Sequence, residues 1–227
     1  MTAPGLATID AAQRFTLAGQ GVEVWWAELD VTPARLEMLR ATLPALERRE
    51  GERQRCDPQR LIAARGLVRE ILGQRLGVDP AQLELGRTAA GKPYLVDPTT
   101  TLAFNVSHAA EWLVVAVAPG GAVGVDVERL RADIDCTRVA RHMFSMHEIA
   151  SLEALPPGER RRAFFSCWAR KEACLKAIGT GLSIAPERID VGLGPELTTV
   201  HFETDDWCVA GIRAPRADFV AAIAVRA

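Results

Sequence analysis

Two acidic residues in the second half of the chain are spaced as neighbours on one face of a β-strand. Asp126 and Glu128 alternate with Val123, Val125 and Val127. Because successive side chains of a strand point to opposite faces, a strand here places both carboxylates together and the valines on the other face. Two carboxylates that close resist joint ionisation unless a cation or hydrogen-bond donors lie beside them. The pattern predicts either a solvated acidic face or a cation site.

A third carboxylate lies on a predicted long helix over residues 159–178. On a helical wheel, Glu172 projects onto or beside the apolar stripe of this helix, where an unpaired carboxylate is costly. Lys176, one turn further along, offers an ordinary ion pair within the helix. Convergence of Asp126, Glu128 and Glu172 would instead make an oxygen-rich site suited to Mg²⁺, or to Mn²⁺ in its place.

Groups that can hold a phosphate precede the acidic strand. Ser107 and His108 lie at the end of a short extended stretch, and both side chains can donate a hydrogen bond to a phosphate oxygen. Lys92 lies in a Gly-Lys-Pro turn, where the backbone permits close approach of a ligand. Taken singly, His108 also fits a structural histidine and Lys92 an exposed surface lysine. Together they favour a phosphate-handling site.

The elements predicted to position these residues are strands and helices in mixed order. Alternation around Val24 predicts a first strand, and a helix capped by Thr32 continues into a charged run at residues 47–55. That run is either a solvated helix face or a phosphate-binding cluster of arginines. Asp57 and Gly77 mark the start and the end of a second helix. The later elements are short strands near residues 83–85, 102–106, 112–118 and 123–128, a helix capped by Ser145 and Glu148, the long helix ended by Gly179 and Gly181, and strands over residues 189–225.

A length of 227 residues fits one large domain or two small lobes that share a core. The turn at residues 119–121 contains one proline and two glycines and is the best candidate for a boundary. We therefore expect an N-terminal lobe over residues 1–119 and a C-terminal lobe, which contains the acidic site, over residues 120–227.

The composition argues against several classes of protein. Lys and Arg total 27 against 29 Asp and Glu, so no global basic field favours nucleic acid as a partner. The longest apolar run covers residues 112–118, far short of the ~20 residues that span a bilayer. Because the chain does not start with a secretory signal, we expect a cytoplasmic protein without a membrane partner. Five scattered cysteines without a C-x-x-C pair indicate neither a disulfide framework nor a zinc site.

Four blocks of sequence follow one another as GKPY at residues 91–94, FNVSH at 104–108, GVDVE at 124–128 and WARKEACLKAIGTGL at 168–182. In this order they closely resemble the signature motifs of the Sfp-type 4′-phosphopantetheinyl transferases. The resemblance implies an α+β fold of two similar α/β lobes, related by a pseudo-twofold axis in a monomeric chain, with coenzyme A in the cleft between them. The implied reaction is Mg²⁺-dependent transfer of the 4′-phosphopantetheine arm from coenzyme A to a serine of an apo acyl or peptidyl carrier protein. Adenosine 3′,5′-bisphosphate would be released.

The same resemblance implies roles for individual residues. Asp126, Glu128 and Glu172 match metal-ligand positions of the family, and Glu172 also matches the proposed base for the carrier serine. As the other catalytic groups, Lys176 and His108 would hold the diphosphate and help the leaving group to depart.

The resemblance also implies a binding site for the nucleotide. Lys92 and Ser107 match positions that grip the nucleotide and its phosphates. Some relatives hold the 3′-phosphate with a threonine in the second helix, where this chain has Leu61. Guanidinium groups suit phosphate, so an arginine is expected to replace that threonine. The candidates are Arg48, Arg53, Arg60 and Arg65.

The carrier protein is acidic in this family, so a basic or apolar patch should receive it. The helix predicted over residues 136–144, which contains Arg138, Arg141 and Met143, is a candidate for that patch. It also fits a plain amphipathic helix that packs on the core.

Two other classes of protein fit part of this pattern. A metal-dependent phosphohydrolase could use the three acids on coenzyme A or another nucleotide, but a second metal would require a further histidine and carboxylate cluster that four histidines do not indicate. A catalytically silent module that binds coenzyme A or a carrier protein would not need a base, so the presence of all three acids argues against it.

Overall fold

The computed structural model describes residues 9, 12–53, 57–179 and 184–227. Within them the helices are α1 Pro33–Ala41, α2 Ala45–Arg53, α3 Pro58–Leu76, α4 Cys136–Met143, α5 Met146–Ala154 and α6 Pro157–Ile178. The strands are β1 Gln13–Leu17, β2 Gln20–Glu28, β3 Leu85–Arg87, β4 Pro93–Leu95, β5 Ala103–Ala109, β6 Trp112–Ala118, β7 Val123–Arg129, β8 Thr198–Phe202, β9 Asp205–Ile212 and β10 Phe219–Arg226. Short 3₁₀ helices lie at Pro80–Gln82 and Pro186–Arg188.

The predicted first helix is two helices in the structure. The Thr32 hydroxyl accepts a hydrogen bond from the Arg35 amide at 3.3 Å and caps α1 as expected. The prediction that this helix continues into the charged run is wrong, because a break separates α1 from α2. Pro44 lies in that break. A proline disfavours the helical conformation at the residue before it and has no amide to donate.

The caps of the next helices are confirmed. The Asp57 side chain accepts an amide hydrogen bond at the start of α3, and Gly77 ends this helix in the left-handed conformation with φ of 71°. Ser145 and Glu148 form the predicted reciprocal capping box at the start of α5. Local sequence signals therefore determine both ends of α3 and the start of α5.

The long helix α6 starts at Pro157, two residues before the predicted start, because proline fits the first turn of a helix. Gly179 ends α6 with φ of 82°, as expected for a glycine at the end of a helix. Gly181, the second glycine named in that prediction, lies outside the described residues.

The strands form two four-stranded antiparallel sheets, in the orders β1-β2-β6-β5 and β7-β10-β9-β8, and β3 pairs with β4 in a small hairpin. The predicted strands around Val24 and at residues 112–118 and 123–128 are confirmed as β2, β6 and β7. The sequence analysis missed β1. The sequence signal for β1 was the Ala18-Gly19 pair, because glycine favours the two-residue turn of a tight hairpin. In the structure both residues have positive φ, and the turn pairs β1 with β2.

Alternating strand residues join the two sheets and their helices into layers. Val114 on β6 packs in one cluster with Val125 on β7 and Ile223 on β10, so the two sheets share a core. Leu113, on the other face of β6, packs in a cluster with α1 and α3. Ala222, on the other face of β10, packs in a cluster with α6. The order of layers is therefore helices, first sheet, second sheet, helices.

The mixed α/β architecture that the sequence predicts is confirmed. The first sheet and α1–α3 come from residues before the turn at 119–121, and the second sheet and α4–α6 come from residues after it. Each half thus has its own sheet and its own helices, while the boundary between two lobes stays a prediction. None of the helices in the described ranges is long and apolar enough to cross a membrane.

Candidate active site

The acidic face of β7 points toward α6. Val123, Val125 and Val127 lie in the core between the two sheets, so the alternate residues face the helix. Asp126 is only 4% exposed, and Glu128 is half-buried. A solvated acidic strand face is therefore the wrong interpretation for Asp126.

Helix α6 reaches Asp126 because a glycine precedes it on the same face of β7. A Cβ atom at Gly124 would lie 2.0 Å from the carbonyl oxygen of Ala173 and 2.5 Å from the amide nitrogen of Ala177. No residue with a side chain fits there without moving the strand from the helix. This close approach places the last two turns of α6, which contain Glu172, over the strand.

Asp126 lies at the centre of a buried polar network. Its Oδ1 atom accepts hydrogen bonds from Lys176 Nζ at 2.7 Å and from Ser107 Oγ at 2.8 Å. Lys176 Nζ also donates to Ser107 Oγ at 3.0 Å. Among the described residues, the buried Oδ2 atom of Asp126 has no hydrogen-bond partner. Burial raises the pKa of Asp126, and the Lys176 ammonium and the Ser107 hydroxyl oppose that rise.

The other two carboxylates lie near this network and are also perturbed. Trp168 Nε1 donates a hydrogen bond to Glu128 Oε1 at 2.9 Å. Burial and then the charge of Asp126 raise the pKa of Glu128 to about 7. The same two causes raise the pKa of Glu172. Lys176 forms its ion pair with Asp126, so the alternative of an ion pair between Lys176 and Glu172 along the helix is wrong.

The expected trio of metal ligands is not assembled as a cluster. In the part of the chain that the structure describes, no three His, Cys, Asp or Glu side chains are grouped so that they could hold a metal ion. The Lys176 ammonium lies against Asp126 instead. Two features still fit a divalent cation here: the unpartnered Oδ2 atom of Asp126 and the raised pKa values of all three carboxyls, which a nearby cation would lower. The roles of Asp126, Glu128 and Glu172 as metal ligands stay a prediction.

Side-chain hydrogen bonds join β5 to β7, although the two strands belong to different sheets. The buried Asn105 on β5 accepts a hydrogen bond from the Val125 amide at 3.0 Å through its Oδ1 atom. Two residues further along β5, Ser107 reaches Asp126. The sequence analysis missed the role of Asn105, although an asparagine inside a strand was a signal, because asparagine is depleted in strands.

A cleft of about 750 Å³ opens beside the polar network. Leu61, Val68 and Leu85 contribute an apolar part of its lining, whereas His108 and Glu172 belong to its polar end. Lys176 and Asn105 also line the cleft. A second hollow of about 560 Å³ shares His108 with the cleft and is lined by Glu128 and Arg131. Loss of solvent and the nearby charge of Lys176 lower the pKa of His108.

Of the four arginines proposed for the 3′-phosphate, one lines the cleft. Arg65 lines the cleft and donates to Glu50 at 3.3 Å. Arg60 is held elsewhere, because its guanidinium forms a two-point ion pair with Asp30 at 2.7 and 2.9 Å. Arg48 and Arg53 are absent from the lining formed by the described residues. The structure therefore favours Arg65 among the four.

Two further basic residues line the cleft from the β3–β4 hairpin. Arg87, which the sequence analysis missed, donates to the carbonyl oxygen of Gly91 at 3.0 Å. The sequence signal for Arg87 was its position shortly before the Gly-Lys-Pro turn. Lys92 also lines the cleft, but its ammonium donates to main-chain carbonyls of β7 and α6. Leu61 also lies in the lining, so the position expected of a phosphate-binding threonine faces the cleft with an apolar side chain.

The helix predicted as a receiving surface for a carrier protein is α4. Arg138 and Arg141 are exposed, while Ala140 is buried and Met143 packs partly against the core of the C-terminal half. An amphipathic helix is confirmed. Its role in binding a partner stays a prediction.

Glu172, Lys176 and His108 line one end of the cleft, and Arg65 and Arg87 also line it. Lys176 is hydrogen-bonded there to the buried Asp126 and Ser107. Phosphoryl transfer depends on positioning the phosphate and neutralising the charge that develops on it. The cleft thus has the basic and hydrogen-bonding groups that suit a phosphorylated ligand.

Comparison with known proteins identifies the family. Residues 31–120 match the family model described as 4′-phosphopantetheinyl transferase, N-terminal, and residues 122–224 match that of the 4′-phosphopantetheinyl transferase superfamily. The chain belongs to the 4′-phosphopantetheinyl transferase superfamily, and the resemblance seen in its four sequence blocks is confirmed.

The relatives agree with this assignment. The chain is 34% identical over 211 residues to the 4′-phosphopantetheinyl transferase HetI of Nostoc sp., which covers 87% of this chain and 89% of that protein. It is 33% identical over 207 residues to a phosphopantetheinyl transferase of Thraustochytrium sp., covering 81% and 70% of the two chains. It is 29% identical over 212 residues to the human L-aminoadipate-semialdehyde dehydrogenase-phosphopantetheinyl transferase, covering 85% and 69%.

Proposed function

We propose that this protein transfers the 4′-phosphopantetheine arm of coenzyme A to a serine of an apo acyl or peptidyl carrier protein and releases adenosine 3′,5′-bisphosphate. One observation supports this most directly: Lys176 lines the end of the cleft and is hydrogen-bonded there to Asp126 and Ser107. Membership of the superfamily supports the choice of coenzyme A as the phosphorylated ligand.

Coenzyme A would lie in the 750 Å³ cleft with its diphosphate at the polar end. Arg65 and Arg87 are the guanidinium groups available to the phosphates of the nucleotide, since both line the cleft. His108 would donate one N–H to the diphosphate, which an imidazole can do in either protonation state. Lys176 and Ser107 would donate to the phosphate oxygens from the network they already form.

Asp126, Glu128 and Glu172 would hold a divalent cation, Mg²⁺ or Mn²⁺, with the free Oδ2 atom of Asp126 as its first ligand atom. When bound, the cation would neutralise charge on the diphosphate and on the leaving nucleotide phosphate. Lys176 already pairs with that carboxylate through its Oδ1 atom, so its positive charge would oppose binding of a cation there. The Lys176 ammonium would pair with the diphosphate in the loaded site.

Glu172 is the base that we assign to the acceptor serine. It lines the cleft beside the expected diphosphate, where an ionised carboxylate could accept the serine proton. The serine oxygen would form a bond to the phosphorus that bears the pantetheine arm, and its proton would pass to Glu172. The bond from that phosphorus to the bridging oxygen would break, and the electron pair would leave with the nucleotide, helped by Lys176 and His108.

The proposal includes a monomeric, cytoplasmic enzyme with two lobes related by a pseudo-twofold axis. The two lobes are supported by the two four-stranded antiparallel sheets, one from each half of the chain, which each pack against helices of their own half. The cleft lies where the halves meet, since its lining includes α3 from the first half and α6 from the second.

The test is to incubate the protein with coenzyme A, Mg²⁺ and an apo carrier domain and to weigh the carrier intact. We expect the mass to rise by one phosphopantetheine group. Conversion of coenzyme A without any carrier would support a phosphohydrolase instead, and binding of coenzyme A without conversion would support a silent module. An unmodified carrier across acyl and peptidyl types would refute the transferase.

Variants of two acids test the site itself. Asp126→Asn and Glu172→Gln should each abolish transfer, since the first removes the central charge and the second removes the base, while both keep the shape of the side chain. Asp206→Asn, on an exposed carboxylate of β9 outside the cleft, is the matched control and should retain transfer. Activity in either of the first two variants would contradict the assigned roles.

A further inference from the structure

The ammonium of Lys92 bridges two elements of the other half of the chain. Lys92 lies just before β4, in the turn that follows β3. Its Nζ atom donates hydrogen bonds to the carbonyl oxygens of Val123 at 3.0 Å, Lys176 at 2.6 Å and Ala177 at 3.3 Å. Val123 starts β7, the strand that contains Asp126, and the other two residues belong to the last turn of α6.

These contacts use the full donor capacity of the side chain. An ammonium group has three N–H donors, and Lys92 has three carbonyl acceptors. The last carbonyl groups of a helix have no N–H donor within the helix, so they are suitable acceptors for a lysine ammonium. With this arrangement no donor of Lys92 is left for a phosphate oxygen in the cleft.

The position of the carbonyls connects Lys92 to the polar network. One acceptor is the main chain of Lys176, whose side chain pairs with Asp126. A displacement of the last turn of α6 would move that ammonium and also Glu172, one turn earlier on the helix. Gly124 permits α6 to approach β7 closely. Lys92 connects the two elements beside this contact, at the start of β7 and the last turn of α6.

We propose that Lys92 is a positioning residue, which holds the last turn of α6 against β7 and so sets the places of Lys176 and Glu172 relative to Asp126. It acts through the main chain and does not bind the donor phosphates directly. This inference rests on the proposed transferase function, and it departs from the role that sequence resemblance implies for Lys92.

Burial lowers the pKa of Lys92 to about 8, which means that the folded protein disfavours its charged form relative to water. A methionine of similar length would avoid that penalty, but it would leave three carbonyl groups without this donor. The three hydrogen bonds, which join β7 to α6, are the part of this balance that favours a lysine here.

The test compares Lys92→Met with Lys92→Arg and with Arg65→Met, which removes a guanidinium that lines the same cleft. The dissociation constant of coenzyme A is measured by calorimetry, and kcat is measured at saturating coenzyme A. For Lys92→Met we expect the dissociation constant to stay within about threefold and kcat to fall by up to about 100-fold, the effect of displacing catalytic groups by about 1 Å. Arg65→Met should show the opposite split.

Two further measurements separate positioning from a general loss of structure. Amide exchange at residues 175–179 should be faster in Lys92→Met, while exchange in α3 should be unchanged. Lys92→Arg retains a charged donor and should recover part of kcat. If Lys92→Met does not fold, Lys92→Arg is judged by the same split between binding and kcat.

Several outcomes would overturn the proposal. A rise of tenfold or more in the dissociation constant with normal kcat would show that Lys92 binds the donor. Unchanged binding and unchanged kcat would show that it has no role in the reaction. A lower kcat with unchanged amide exchange in α6 would show that it does not act through the helix. Inactive wild-type protein would instead refute the proposed function itself.

Discussion

Replacing Gly124 with alanine tests how the fold places the acids and Lys176. The added Cβ would lie 2.0 Å from the Ala173 carbonyl oxygen and 2.5 Å from the Ala177 amide nitrogen, and real Cβ contacts essentially never fall below 3.0 Å. The obstacle is helix backbone, which cannot rotate away as a side chain can. Strand β7 and helix α6 must therefore separate by about 1 Å, and overpacking of this kind costs about 3 kcal/mol.

The expected loss of stability and the expected loss of transfer have separate assays. A cost of about 3 kcal/mol should lower the melting temperature by roughly 6–12 °C for a chain of this size, which calorimetry measures directly. The same 1 Å separation moves Glu172 and Lys176 away from Asp126, so transfer to a carrier protein should fall by up to about 100-fold in the folded variant.

A second glycine provides the matched control. Gly158 lies in the first turn of the same helix, and a Cβ added there meets no atom within 4 Å. Gly158→Ala should raise stability by about 0.5–1 kcal/mol and leave transfer unchanged. If Gly124→Ala melts at the wild-type temperature, the close approach of β7 and α6 is not as tight as described. If it melts lower but transfers normally, that approach does not position the site.

Three other predictions follow from the buried charges. Lys176→Met removes the ammonium that pairs with Asp126 and would oppose a cation there. Mn²⁺ alone should therefore raise the melting temperature of this variant more than that of the wild type. An equal rise in both proteins would contradict this opposition. Lys171→Met removes the ammonium that pairs with the buried Glu148 carboxylate at 2.7 Å, and it should lower the free energy of unfolding by about 3–5 kcal/mol in urea titrations. The double variant that also has Glu148→Gln should lose much less. The pKa of Lys92 is about 8 when folded and about 10.5 when unfolded, so the unfolded state binds more protons in this range and stability should rise with pH from 8 to 10. Lys92→Met should lack that rise, and an identical pH profile of unfolding would refute the assignment.

The parts of the fold that local sequence determines were predictable. The capping box of α5, the left-handed glycine after α3 and the valine face of β7 depend on residues within a few positions of one another. The same holds for Asp126, since the alternation of β7 places it opposite the valines. The four sequence blocks then gave the family, because they preserve the order and spacing of whole motifs.

The parts of the site that depend on contacts across the chain were not predictable from periodicity. A helical wheel places Lys171 to one side of the apolar stripe, yet Lys171 is 2% exposed. It is buried because α5 and the 186–191 segment cover that side of α6, where its ammonium meets Glu148 and the carbonyl oxygen of Pro186. Periodicity reports which face of a helix meets one neighbour. It does not report a second neighbour from a distant part of the sequence.

The partner of Lys176 shows how magnitudes decide between a local and a distant contact. An ion pair with Glu172 along the helix is worth only about 0.3–0.5 kcal/mol, because such pairs are partly solvated. Asp126 is 4% exposed, and a buried carboxylate left without a partner costs several kcal/mol. Lys176 therefore gains far more by pairing with Asp126 at 2.7 Å than with its neighbour on the helix. Which carboxylate Lys176 pairs with therefore depends on how deeply α6 buries Asp126. That burial depends on Gly124, and the spacing of the lysine and the carboxylates along the sequence does not predict it.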